Sequence, residues 1–224
     1  MRLMLLLFGK AVYTMAIDFK KTQKELYQPG SKPSIIKVPE MTFIMVDGRG
    51  DPNTSEAYQA ALEVLYGLSY AVKMSKMGGN QPDGYYDFVV PPLEGLWSTD
   101  SGDFEPGTTD KGSFCWTSMI RMPEYVTAEV FETAKSSLAK KKPALDSSIA
   151  RLEVFDEGLC AQVMHTGSYD DEPATILALK AFVADSGYRL DLSEKRRHHE
   201  LYLNDPRKTA PEKLKTIIRY PIAG

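Results

Sequence analysis

A chain of 224 residues with 43% hydrophobic content carries enough apolar material for a packed core and does not read as disordered. Its 27 Lys and Arg against 30 Asp and Glu give a net charge of -3, which offers phosphate backbones no broad attraction and argues against nucleic acid as a direct partner. Two cysteines, Cys115 and Cys160, have neither the number nor the spacing of a disulfide framework or a zinc site, and read as buried thiols of a reducing, cytoplasmic compartment.

The first residues resemble a signal peptide only superficially. Arg2 precedes the apolar run Leu3 to Phe8, which is shorter than the roughly 7–15 residues of a secretory core. Met15 then opens a polar stretch, Ala16-Ile17-Asp18-Phe19-Lys20-Lys21, that reads as the start of a cytosolic protein. Residues 1–14 are therefore expected to stem from an upstream start codon, and 1–24 to form an extension ahead of a single domain over 25–224. No other stretch approaches the roughly 18–20 apolar residues of a membrane span, so a membrane is not an expected partner.

A first half is expected over 35–125. Met41 to Val46 reads as a strand and Asp47 to Pro52 as a turn, after which Asn53 and Glu56 have the spacing of a helix cap and its partner. Ala57, Ala61, Val64, Leu65, Leu68 and Val72 give the helix one apolar face, ending at Gly78-Gly79. Ser98 to Lys111 has loop composition. Thr127 to Lys141 carries Val130, Phe131, Ala134 and Leu138 at helical spacing and a lysine-rich end that suits a helix C-terminus, so it reads as a linker helix.

The same grammar returns in a second half over 150–222. Leu159 to Met164 reads as a strand and Thr166 to Glu172 as a turn, with Pro173 in the first helical turn and Ile176, Leu179 and Val183 as the apolar face before Gly187. A shift of 119 places Met45 on Met164, Gly48 on Gly167 and Asp51 on Asp170. Each half closes on Ile-Arg-x-Pro, at Ile120 to Pro123 and at Ile218 to Pro221, offset by 98, so the first half holds 21 extra residues, expected in the 98–111 loop. Two such halves would pack their sheets into one core.

Phosphate-binding glycine loops, HExxH, CxxC and GxSxG are all lacking. The segment Arg196 to Lys208 stands out instead. Read as a strand, it puts Leu201 and Leu203 on one face and His198, Glu200 and Tyr202 on the other. That polar face either meets solvent or presents a carboxylate and a phenol to a cavity, where they could act as base and donor. His165 and Tyr169 flank Gly167 at a turn mouth, where either a structural histidine or a ligand contact fits. Trp97 and Trp116, with Phe88 and Phe114, suit a core or an aromatic pocket, and Tyr66 and Tyr70 share a face of the first helix. The acids Asp170-Asp171-Glu172 suit a helix N-terminus better than a metal.

Pro92 to Trp97, Leu65 to Lys73, Cys115 to Pro123, His165 to Pro173 and His199 to Lys208 together resemble the stand-alone GyrI-like proteins, a family related to the ligand domains of multidrug-responsive regulators and to the SOUL haem-binding proteins. The resemblance implies an α+β fold of two pseudo-symmetric βαββ-like halves, with helices packed on antiparallel sheet around a central ligand groove. It also implies a cofactor-independent, metal-free hydrolase that opens the cyclopropane ring of genotoxic cyclopropanoid compounds and so detoxifies them. Glu200, at the place of a glutamate that meets cationic drugs in the regulators, would activate water. Tyr169 first, or Tyr202 second, would donate to the developing oxyanion. Trp97 and Trp116 would stack on a flat, hydrophobic or aromatic small molecule, with Tyr202, His165, Tyr66 and Tyr70 completing its surroundings. Glu200 is expected to titrate high through desolvation. The alternatives are sequestration without turnover and, less favoured, binding to gyrase; haem binding is the weakest, and a homodimer is compatible with any of them.

Overall fold

Strand pairing in the computed structural model, which describes residues 15–77, 81–99, 102 and 110–224, reads almost the same from either edge of the sheet. The strands are β1 (Ser34–Val38), β2 (Met41–Arg49), β3 (Leu93–Thr99), β4 (Phe114–Arg121), β5 (Arg151–Phe155), β6 (Gly158–Thr166), β7 (Arg189–Leu190), β8 (His198–Tyr202) and β9 (Lys215–Ala223). The helices are α1 (Phe19–Thr22), α2 (Lys24–Tyr27), α3 (Glu56–Lys73), α4 (Ala128–Lys141) and α5 (Glu172–Asp185). The order across the sheet is β1-β6-β9-β8-β3-β4-β2-β5, with β7 pairing β9, and the ladders are antiparallel.

β2-α3-β3-β4 in the first half thus corresponds to β6-α5-β8-β9 in the second. Register makes the correspondence quantitative. Ile44 faces Ile120 in one half and Val163 faces Ile218 in the other, so the offsets of 119 and 98 belong to one operation. At the seam, Leu93 pairs with Tyr202, Glu94 with Leu201 and Gly95 with Glu200, which puts a pseudo-twofold between Glu94 and Leu201. The leading strands are exchanged: β1 precedes β2 but pairs with β6, and β5 precedes β6 but pairs with β2.

The same registers relocate the extra residues. The offset is 119 from Ile44 to Val163, 107 from Leu93 to Glu200 and 98 from Ile120 to Ile218. Twelve of them therefore lie between β2 and β3 and only nine in the β3–β4 connection, whose residues 100–101 and 103–109 fall outside the described residues. The Met1 to Thr14 segment and the Gly78-Gly79 stop also fall outside them.

The elements depart from the local sequence signals by a few residues. β2 continues to Arg49, and α3 starts two residues late because Ser55 Oγ, not Asn53, accepts from the Tyr58 N–H at 3.2 Å. Asn53 is held by Asp51, whose Oδ1 accepts from its backbone and side-chain amides at 2.9 Å. Ala57 is exposed, while Ala61, Val64, Leu65, Leu68 and Val72 pack on the sheet together with Ile44 and Ile120. α4 follows the linker reading and lies on α3 through Phe131, Ala134 and Leu138. Ile176, Leu179 and Val183 seat α5 over β6 and β9.

The opposite face of the sheet is covered by residues 17–27, part of which composition sets in an extension. Phe19, Leu26 and Tyr27 are buried there against Phe43, Met119 and Leu201. The arginines of the repeated tetrapeptide explain how this segment is held. Arg121 lies 4.1 Å over the Phe19 ring and donates to Gln23, while Arg219 Nη2 donates to the Leu26 carbonyl at 3.0 Å. Arg219 Nη1 also donates to Glu157 Oε2 at 3.0 Å, and Glu157 Oε1 meets His199 Nδ1 at 2.9 Å. His199 Nε2 stands 3.1 Å from Glu94 Oε2. Burial would raise the Glu157 carboxyl, yet His199 and Arg219 hold it down to about 2; burial would lower His199, yet Glu157 and Glu94 raise it to about 9. No described helix is long and apolar enough to cross a membrane.

Removing one member of such a network strands the others without compensation. Arg219→Ala is expected to cost about 3–5 kcal/mol, measured as a fall in the urea midpoint at unchanged slope; a loss under about 1 kcal/mol would show that the network is solvated.

Candidate functional site

Alternation along the central strands puts Gly48 of β2, Trp116 of β4, Gly95 and Trp97 of β3, and His198, Glu200 and Tyr202 of β8 on the helix-covered face. Two glycines make this arrangement possible. Gly48 pairs with Trp116, and a Cβ there would lie 2.1 Å from Trp116 Cη2, so the indole can cross β2 only over a bare backbone. Gly95 pairs with Glu200, and a Cβ there would lie 2.7 Å from Trp97 Nε1 and 3.3 Å from the Tyr202 hydroxyl.

Over that floor a hydrogen-bond chain runs across the seam. Trp97 Nε1 donates to the Tyr202 hydroxyl at 2.9 Å, which donates to Glu200 Oε2 at 2.7 Å, while His198 Nε2 meets Glu200 Oε1 at 2.7 Å. Glu200 is 6% exposed. Its expected high titration is corrected: burial works against the charge, but His198 and Tyr202, two residues away on either side, hold the carboxyl below the usual carboxylate range. The raised carboxyl is Glu172, the first residue of α5. Burial and the neighbouring Glu200 push it up to about 10.

Glu172 is the site residue that composition hid among three consecutive acids. Asp170 turns to Lys111 at 3.2 Å, Asp171 accepts from Ser168 Oγ at 2.7 Å, and of the three only Glu172 is buried, facing Glu200 and Thr216, with its Oε1 offered no donor in hydrogen-bond geometry among the described residues. The signal was its position at the start of a helix that lands on the sheet. Among the described residues no three His, Cys, Asp or Glu side chains converge as metal ligands.

Aromatic rings close the site. Tyr58 of α3 stands edge-on to Trp116 at 5.0 Å and tilted to Trp97 at 6.2 Å, Phe114 packs on Trp97 at 5.9 Å, and Tyr169 meets Tyr202 edge-to-face at 5.7 Å. The tryptophans, which suit a core or an aromatic pocket from sequence, are 1% (Trp116) and 5% (Trp97) exposed and form the back of this cluster. Tyr169 is 39% exposed, and no hydrogen bond among the described residues engages its hydroxyl. His165 uses both ring nitrogens internally, Nδ1 with Thr175 Oγ1 at 2.8 Å and Nε2 with the Ser168 carbonyl at 3.1 Å; it braces the turn that carries Tyr169. Tyr66 and Tyr70 lie further along α3, half exposed, with Tyr66 beside Asp205 and Arg207, outside the Glu200 cluster. An open hollow of about 610 Å³ lies elsewhere, between Lys21–Leu26 and Ile36–Pro39, and holds none of these residues.

Gly95→Ala is expected to break the Trp97–Tyr202 contact, because the added methyl meets ring atoms at 2.7 Å. The expected result is a loss of about 1–3 kcal/mol by urea unfolding together with altered tryptophan emission; unchanged emission would mean that Trp97 does not rest on that glycine.

Comparison with known proteins agrees with this architecture. A structure described as a hydrolase from Listeria innocua is 48% identical, covers 92% of this chain and 100% of its own, and superposes with a TM-score of 0.85. An uncharacterized conserved protein from Listeria innocua is 50% identical over 92% of this chain and 100% of its own, with a TM-score of 0.87. No curated protein matches the sequence. The model of the GyrI-like small molecule binding domain matches residues 31–223, and the chain belongs to that family.

Proposed function

We propose that this protein is a cofactor-independent hydrolase that opens the cyclopropane ring of genotoxic cyclopropanoid compounds. The observation that carries the reading is a buried carboxylate, Glu200, held between a histidine and a tyrosine that favour its charged form, beneath an aromatic wall. A cyclopropane conjugated to a carbonyl is already electrophilic, so it needs an oriented water and a donor to the oxygen that gains charge. Glu200 takes a proton from the water as the new C–O bond forms. The ring C–C bond breaks toward the carbonyl, and its electron pair arrives on the carbonyl oxygen. The description of the Listeria relative as a hydrolase agrees with water as the attacking group.

The two tyrosines divide the work. Tyr202 already donates to Glu200 and accepts from Trp97, so it tunes the base. No hydrogen bond among the described residues engages the Tyr169 hydroxyl, and burial drives its pKa up, so it stays a proton donor at neutral pH and is the better oxyanion partner. Trp97, Trp116 and Tyr58 shield the base from bulk solvent, and Trp97 holds Tyr202 in place. A flat hydrophobic molecule would lie against Tyr169 and Tyr202. The opposing reading, sequestration of a hydrophobic or cationic small molecule without turnover, uses the same aromatic wall and would have Glu200 meet a cation in place of a water.

Incubation with a cyclopropanoid in ¹⁸O water is expected to give a product carrying the label. Glu200→Gln should slow this by roughly 10²–10⁴-fold and Tyr169→Phe by about 10²–10³-fold. Binding with no labelled product from the wild type would leave sequestration as the account. Tyr202→Phe removes a donor that lowers the Glu200 pKa, so the acidic limb of its pH–rate profile is expected at higher pH than in wild type, with the alkaline side retained.

A further inference from the structure

Glu172 has no part in the scheme above, yet its carboxyl is 5% exposed and within hydrogen-bonding reach of Glu200, with Oε1 buried and offered no protein donor among the described residues. Two carboxylates cannot both stay charged in so dry a place. Every group around them points to the same division. From β8, His198 and Tyr202 donate to Glu200; from β9 comes Thr216, which carries no charge; from the turn come Tyr169 and Asp170, the latter paired with Lys111; from α3 comes Tyr58. The two donors with the closest contacts, His198 and Tyr202, are spent on Glu200, while Glu172 is left with the neutral Thr216 hydroxyl, which offsets only part of its rise. Glu172 has Glu200 as its charged neighbour and receives no cation of its own from these elements.

We infer that Glu172 and Glu200 hold one proton between them, that Glu172 carries it, and that Glu172 is the positioning residue that keeps Glu200 the ionised base. The catalytic consequence rests on the hydrolase reading; the shared proton does not. In turnover the pair starts with one proton, gains a second when Glu200 takes the water proton, and returns to one as a proton passes to the oxygen that gained charge. Above the pH at which Glu172 ionises, the two charges repel and the base loses its place.

The pair also sets a sign for stability. A carboxyl that holds its proton more tightly when folded loses stability as pH rises from its ordinary range toward its folded value, about 10 here. Glu172→Gln removes that titration while keeping size and a donor, so its melting temperature should gain on wild type steadily as pH rises.

The deciding experiment is carboxyl ¹³C NMR of protein labelled at glutamate, run without substrate on wild type, Glu172→Gln and Glu200→Gln. Wild type is expected to show one glutamate titrating near 10 that is absent from Glu172→Gln and moves down in Glu200→Gln. Titration of Glu172 in the ordinary carboxylate range, or a high value indifferent to Glu200→Gln, would overturn the shared proton. If Glu172→Gln does not fold, the Glu200→Gln comparison decides alone. In the ¹⁸O assay the alkaline limb of wild type should be lost in Glu172→Gln. A wild type that shows the NMR pattern but no labelled product retains the pair and loses only the hydrolase reading.

Discussion

The site depends on an interaction it does not contain, the clasp of Glu157 on His199 and Arg219 beneath the sheet. It ties β8 to β9 and to the turn between β5 and β6, and through Arg219 it ties all three to the N-terminal helices. Side-chain alternation does the rest: with His199 fixed below, its neighbours His198 and Glu200 must stand above. A slip by one residue would bury Glu200 in the wrong network, against Glu94 and Glu157. Desolvating these ions is costly, and an apolar replacement could be as stable. What the ions contribute is a single register for the strand that carries the base.

Pseudo-symmetry explains where the chemistry could arise. Corresponding positions across the seam are Leu93 with Glu200 and Gly95 with Tyr202. The first half supplies an apolar residue and a bare glycine backbone, the second a carboxylate and a phenol. Because these pairs flank the axis, the small residue of one half lies next to the large polar residue of the other, and Trp97 and Tyr202 meet over Gly95. A symmetric molecule would have had two carboxylates or two apolar residues at this point. Loss of symmetry at the axis yields one of each.

Much of this was legible in the sequence, and the rest was hidden for physical reasons. The repeated Ile-Arg-x-Pro marked corresponding strands because both arginines must reach the same covering segment. Alternation placed His198, Glu200 and Tyr202 together correctly. The direction of the Glu200 shift was misread by weighing desolvation without the donors two residues away on the same face. Glu172 was concealed because three adjacent acids at a helix start look alike until the helix is docked. Trp116 suited a core or an aromatic pocket because a sequence does not say which side of an indole is covered. The exchange of β1 and β5 left no local trace, since strand pairing over such distances is a property of the whole chain.

That exchange carries a consequence for how the molecule comes apart. Each half completes its edge with a strand borrowed from the other, as in a strand-swapped dimer whose subunits α4 has joined into one polypeptide. Neither half owns a finished sheet. A disturbance in one frays the other's border, so thermal melting should engage both together, and folding must wait for contacts between distant parts of the chain before either half gains anything from its own.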